Sequence, residues 1–112
     1  MDPQRRKELK EQAKNYRPAM GVLQYECSET SERFLCAAPN LKARVARIRV
    51  QAESESLRNK RFQHLWDEHG EDVFAISTVE QLEYDDETTD YADDLAALLD
   101  ICLERDPDAQ RI

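Results

Sequence analysis

Apolar residues follow two different periods along this chain. The run MGVLQYEC from Met20 to Cys27 predicts a strand, and RFLCA from Arg33 to Ala37 predicts a second. The polar stretch Ser28-Glu29-Thr30-Ser31-Glu32 between them makes the pair a β-hairpin. Beyond Pro39 and Asn40 the period changes: Leu41, Val45, Ile48 and Ala52 recur at helical spacing, with Arg44, Arg47 and Gln51 on another face of the same helix. Phe62, Leu65, Trp66 and His69 mark a second helix, which Gly70 ends. Val73 to Leu82 has the β-branched content of a third strand, with Phe74, Ile76 and Thr78 alternating along one side. Asp90 then caps a last helix striped by Leu95, Leu98, Leu99, Cys102 and Leu103, and Pro107 stops it.

Ahead of the hairpin, Asp2-Pro3 supplies an N-cap and a first-turn proline, which predicts a charged helix from residue 3 to about residue 15, ending before Pro18. Its apolar residues, Leu9, Ala13 and Tyr16, are few, so it covers the domain lightly or packs on a partner. The order α-β-β-α-α-β-α predicts an α+β domain, a small three-stranded, mainly antiparallel sheet flanked by helices. The expected divisions are a charged N-terminal helix over 1–18, one domain over 19–106 and a C-terminal tail over 107–112.

Composition narrows the class. A chain of 112 residues, 40% apolar and 36% charged with two glycines, fits one globular domain with long helices and a charged surface. Cys27, Cys36 and Cys102 are irregularly spaced, and with only His64 and His69 to complete a site they do not suggest structural zinc. Without an apolar leader or membrane span, the expectation is a soluble, reduced, cytoplasmic protein. The net charge of −8 is unevenly spread: residues 1–62 carry 14 Lys and Arg against 8 Asp and Glu, residues 63–112 carry 2 against 16. A basic first half suits phosphate and an acidic second half repels it; the plainer reading is that the halves attract each other or a second copy.

Four segments, at residues 21–23, 34–36, 39–44 and 59–86, resemble the GIY-YIG nuclease family. Gly21-Val22-Leu23 stands where the family has its first motif, Phe34-Leu35-Cys36 where it has the second, and Pro39-Asn40-Leu41-Lys42-Ala43-Arg44 looks like its N-L-x-x-R helix start. NKRFQHLWDEHGEDVFAISTVEQLEYDD, residues 59–86, is similar to a segment of small stand-alone bacterial members. The likeness runs from about Arg5 to Glu104. It implies hydrolysis of a DNA phosphodiester with one divalent metal: a strand tyrosine activates water, a helix arginine stabilises phosphate charge, and a later glutamate holds Mg²⁺.

This sequence departs from that pattern at most of those positions. Leu23, at the tyrosine position, can neither lose a proton nor order water. Tyr25 lies on the same side of the strand but roughly 6.5 Å further along, where sheet packing is its plainer role. Phe34 lacks a hydroxyl, and Cys36 replaces a glycine that admits substrate; as a nucleophile Cys36 has no neighbouring histidine. Ile48 stands where the family often has histidine, and after Pro107 no asparagine follows. Arg44 is retained, and its fork suits bidentate phosphate contact; Arg47 adds charge one turn on, and an exposed helix flank is the plainer reading of both. Asp100 takes the place of the metal-binding glutamate, one methylene shorter, with Glu104 the nearest alternative.

Three functions follow. The leading one is a GIY-YIG-like domain that has lost endonuclease activity, has no cofactor, and serves as a binding or regulatory module. Weak, salt-sensitive nucleic-acid contact through Arg44, Arg47, Arg49, Arg58, Lys60 and Arg61 would belong to it. The second is a weak Mg²⁺-dependent DNA endonuclease with a rearranged site in which Tyr25, Arg44 and Asp100 are base, phosphate clamp and metal ligand. The third is an acidic protein-interaction module using the surface from Glu80 to Asp94. Partners are thus nucleic acid or a protein, with no membrane contact and the oligomeric state open.

Overall fold

A computed structural model describes residues 19–84 and 90–112. The helix expected over 3–15 and the acidic residues 85–89 lie outside them.

The hairpin forms as expected. Strand β1, Met20–Cys27, pairs antiparallel with β2, Arg33–Ala38, setting Leu23 opposite Cys36 and Tyr25 opposite Phe34. Ser31, at a φ of 64°, donates its amide to the Cys27 carbonyl at 2.7 Å and closes the turn. Helix α1, Leu41–Glu53, starts where the Asn40 side chain accepts from the Ala43 amide at 3.0 Å, satisfying one of the donors that a helix start leaves open. Asn59 does the same for α2, Lys60–His69, by accepting from Phe62 at 3.0 Å. Gly70 ends α2 at a φ of 84°, a conformation that suits glycine.

A 3₁₀ turn over Glu71–Val73 leads into β3, Phe74–Leu82, which pairs antiparallel with β1 on the edge away from β2. Of the three residues expected to alternate along one side, Phe74 is buried while Ile76 and Thr78 are exposed, because no described helix covers the middle of this edge strand. Helix α3, Ala92–Arg105, follows. Asp90 caps it from one residue further out than expected, accepting from the Ala92 amide at 2.9 Å.

The expectation of three strands is corrected to four. Past Pro107 the chain reverses, with the Ala109 amide donating to Asp106 at 3.0 Å, and Gln110–Arg111 form β4, parallel to β2. The sheet order is β3-β1-β2-β4. A strand of two residues has no alternation to detect in a sequence, and its place depends on long-range bonds. The Ile112 amide donates to Leu35 at 3.0 Å, and Asn59 donates to the Arg111 carbonyl at 2.7 Å.

The sheet separates two cores. On one face Leu23, Tyr25, Cys27, Phe34 and Cys36 meet α1 and α2 through Leu41, Ile48, Phe62, Leu65 and Trp66. On the other, Val22 and Leu35 meet Cys102, Leu98, Leu99 and Leu103 of α3. Gly21, of the first motif, has a physical reason to be glycine: a Cβ there would run into the Glu80 carbonyl of β3. Among the described residues no helix is long and apolar enough to cross a membrane, and the three cysteines are buried and unbonded.

Candidate functional site

The hairpin and the start of α1 bring Tyr25, Cys36 and Arg44 to one side of the sheet. Tyr25 is fully buried, with its ring edge-on to Phe62 at 5.3 Å and to Phe74 at 6.1 Å. Phe34, the aromatic of the second motif, meets Phe62 at 5.0 Å, and Trp66 stacks on Phe74 at 5.7 Å. Both tyrosine-related positions are thus members of one aromatic cluster, in which each ring pair adds about 0.5–1.5 kcal/mol beyond its burial. Burial, helped by Cys36 and Glu71 nearby, pushes the Tyr25 phenol up to about 12. At pH 7 that leaves about one phenol in 100,000 ionised.

Arg44 sits one turn inside α1, where its amide donates to Asn40 at 3.0 Å. Its positive charge lies close enough to the Cys36 thiol to favour the thiolate. Burial pushes that thiol up, and Arg44 only partly opposes the shift, so Cys36 stays protonated and is a poor nucleophile. The Arg44 Nε is buried with no hydrogen-bond partner.

Two adjoining clefts open beside Arg44. One, of about 340 Å³, is lined by Arg44, Arg47, Gln51, Ser56, Leu57, Arg58 and Ile112. The face of α1 that the sequence assigns to Arg44, Arg47 and Gln51 is therefore one wall of it. The opposite wall is the loop between α1 and α2, held by the buried Gln63, which accepts from the Leu57 amide at 3.2 Å and donates to the Ala52 carbonyl at 2.9 Å. The other cleft, about 490 Å³, lies between β2 and the first turns of α3; Arg44, Arg58 and Ile112 line it too, with Pro39, Ala37, Leu95, Ala96, Leu99 and Arg111.

Charge pairing sets these arginines apart. Of the eight described arginines, five have a carboxylate: Arg33 with Asp106, Arg49 with Glu71, Arg61 with Glu32, Arg105 with Glu80 and Arg111 with Asp100. The three without one among the described residues, Arg44, Arg47 and Arg58, all line the 340 Å³ cleft, and no acidic side chain among the described residues lines it. Arg49 and Arg61, two of the expected nucleic-acid contacts, are thus engaged at 2.6 Å elsewhere. Lys60, exposed at the start of α2, lines neither cleft. Ser56, Arg111 and Ile112 were not legible as site residues: Ser56 depends on the Gln63-pinned loop, the other two on β4.

Asp100, the expected metal ligand, is exposed on α3, accepts from Arg111 and lines neither cleft. No group of three or more His, Cys, Asp or Glu side chains is gathered to hold a metal among the described residues. His64 pairs with Glu68 at 3.1 Å on the exposed flank of α2, and His69 lies 3.9 Å from the same carboxylate.

No family model and no curated protein matches the sequence. Two solved structures are similar. The catalytic domain of the homing endonuclease I-TevI superposes with a TM-score of 0.67 at 16% identity, over 83% of this chain and 97% of that one. A glutamate-to-alanine variant of the catalytic domain of the intron endonuclease I-TevI gives 0.66 at 17% identity, over 78% and 82%. At that identity the likeness is one of fold. The chain has a GIY-YIG-like fold.

Proposed function

We propose that this chain is a GIY-YIG-like domain that has given up phosphodiester hydrolysis and binds nucleic acid through its backbone phosphate. The observation that carries the reading is the cleft of Arg44, Arg47 and Arg58, where three guanidinium groups share a lining that includes no carboxylate among the described residues. Like charges held together are stabilised by an anion, and a guanidinium fork fits a phosphate. Loss of catalysis is supported by what stands beside Arg44. The nearest phenol, Tyr25, is packed among rings and hard to ionise, and Cys36 is a protonated thiol. Asp100, which would have to hold Mg²⁺, is bonded to Arg111 outside the cleft. A rearranged nuclease would need Asp100 to leave that partner and Tyr25 to leave its aromatic pocket together.

The test is incubation of supercoiled plasmid, branched DNA and single-stranded DNA with Mg²⁺ or Mn²⁺, wild type beside Arg44→Ala, with binding followed in parallel. No cleavage is expected, and binding should weaken as salt rises and fall roughly tenfold or more in Arg44→Ala. Metal-dependent nicking that disappears in Arg44→Ala would overturn the reading and make Tyr25 and Asp100 the next residues to substitute.

A further inference from the structure

The two clefts share three wall residues, Arg44, Arg58 and Ile112, yet differ in chemistry. One is walled by Arg47, Gln51 and Ser56; the other by Ala37, Pro39, Leu95, Ala96 and Leu99, with Arg111 at its side. At about 490 Å³ the apolar cleft falls within the size range of small-ligand sites. Among the described residues neither cleft is lined by an aspartate or glutamate, although the chain as a whole carries a net charge of −8. The acids begin just outside the apolar cleft, with Asp90, Asp93 and Asp94 around the start of α3. The junction of the clefts is where Arg44 keeps a buried Nε without a partner.

We propose that the paired clefts form one site for a single-stranded nucleic acid: a backbone phosphate rests on Arg44, Arg47 and Arg58, and the adjoining base enters the apolar cleft against Leu95, Ala96 and Leu99. This rests on the phosphate-binding reading above and adds the class of nucleic acid. A duplex presents a charge about every 1.7 Å of its axis and keeps its bases stacked inside, so it would lay further phosphates along the acidic start of α3 while leaving the apolar cleft empty. A single strand turns a base outward at little cost. It needs only one phosphate at the arginines, and its base buries apolar surface that is otherwise wet. Pro39 and the guanidinium planes of Arg44 and Arg58 offer flat faces for stacking, and the apolar walls carry no amide side chain to read a base edge. Bases are therefore preferred over no base, with weak discrimination among them.

Fluorescence anisotropy on the full chain tests this with three probes of equal length: oligo(dT), an abasic single strand with the same backbone, and a duplex. Oligo(dT) should bind roughly fivefold or more tightly than the abasic strand, and more tightly than the duplex. Ala96→Phe, an exposed helix position that tolerates a larger side chain, fills the apolar cleft and should bring the oligo(dT)-to-abasic ratio to about one. Arg44→Ala should weaken both strands together. Equal affinity for oligo(dT) and the abasic strand in the wild type, or a ratio unmoved by Ala96→Phe in a protein of unchanged circular dichroism, overturns the base site while leaving phosphate binding standing. Tighter binding of the duplex also overturns it. Failure of all three probes to bind at low salt removes the phosphate reading and this inference with it.

Discussion

Tyr25 and Arg44 are polar residues that the sequence nominates for the same reaction, and the fold treats them in opposite ways. Around Tyr25 everything is matched: Phe34, Phe62, Trp66 and Phe74 fill the space, and the phenol is held protonated by burial. Around Arg44 charge is left over, with Arg47 and Arg58 beside it and no acid from the described residues on the cleft wall. Buried rings stabilise a fold, whereas unpaired guanidinium groups do not. The first region therefore reads as scaffold and the second as function, even though each contains a position expected at the site.

The comparison can be broken most forcefully at Phe62, the ring that touches Tyr25, Phe34, Trp66 and Phe74. Phe62→Ala should cost about 3–5 kcal/mol in urea unfolding. A cost under about 1 kcal/mol would mean that the aromatic pocket is not the scaffold. Next comes Gly21→Ala, where the new methyl meets the β3 backbone at the Glu80 carbonyl. A loss of about 1–3 kcal/mol is expected by the same measurement, and unchanged stability would show that β1 and β3 pair less closely than described.

Asn40→Ala connects the two regions, because that cap fixes where Arg44 falls. It should lower stability by about 1 kcal/mol and weaken phosphate binding as well; intact binding in the destabilised variant would separate the cap from the site. Smaller still is the double substitution Arg47→Gln and Arg58→Gln, expected to leave unfolding within about 0.5 kcal/mol of wild type while lowering affinity for nucleic acid. A large loss of stability would make these arginines structural.

The smallest effect lies at the end of α3, where Arg33 holds the Asp106 carboxyl below its usual range through a paired hydrogen bond, Nη2 to Oδ1 at 2.7 Å. A depressed carboxylate contributes fully above its unfolded value and loses that contribution as pH falls through its folded value. Stability measured from pH 5 down to pH 2 should therefore drop less steeply in Asp106→Asn than in wild type. Identical slopes would show that this pair does not fasten the last turn of α3 to the sheet.

The residues that announce themselves in the sequence are those governed by local rules. Asn40 opens α1, Gly70 stops α2, and the spacing of Arg44, Arg47 and Gln51 places them on one wall of one cleft. Arg49 and Arg61 carry the same charge at similar spacing, but whether a guanidinium is free depends on Glu71 and Glu32, which lie 22 and 29 residues away. Asp100 owes its expected role to the family resemblance alone, and its partner Arg111 arrives only because β4 turns back beside β2.

By itself the sequence determined the α+β class, the hairpin, the start of α1 and the end of α2, since periodicity and caps act over a few residues. The tertiary structure alone decided the fourth strand, the closure of the aromatic pocket over Tyr25, and which three of the described arginines have no described acid beside them. Those features depend on which distant segments meet, and that is settled by packing two cores against opposite faces of one sheet.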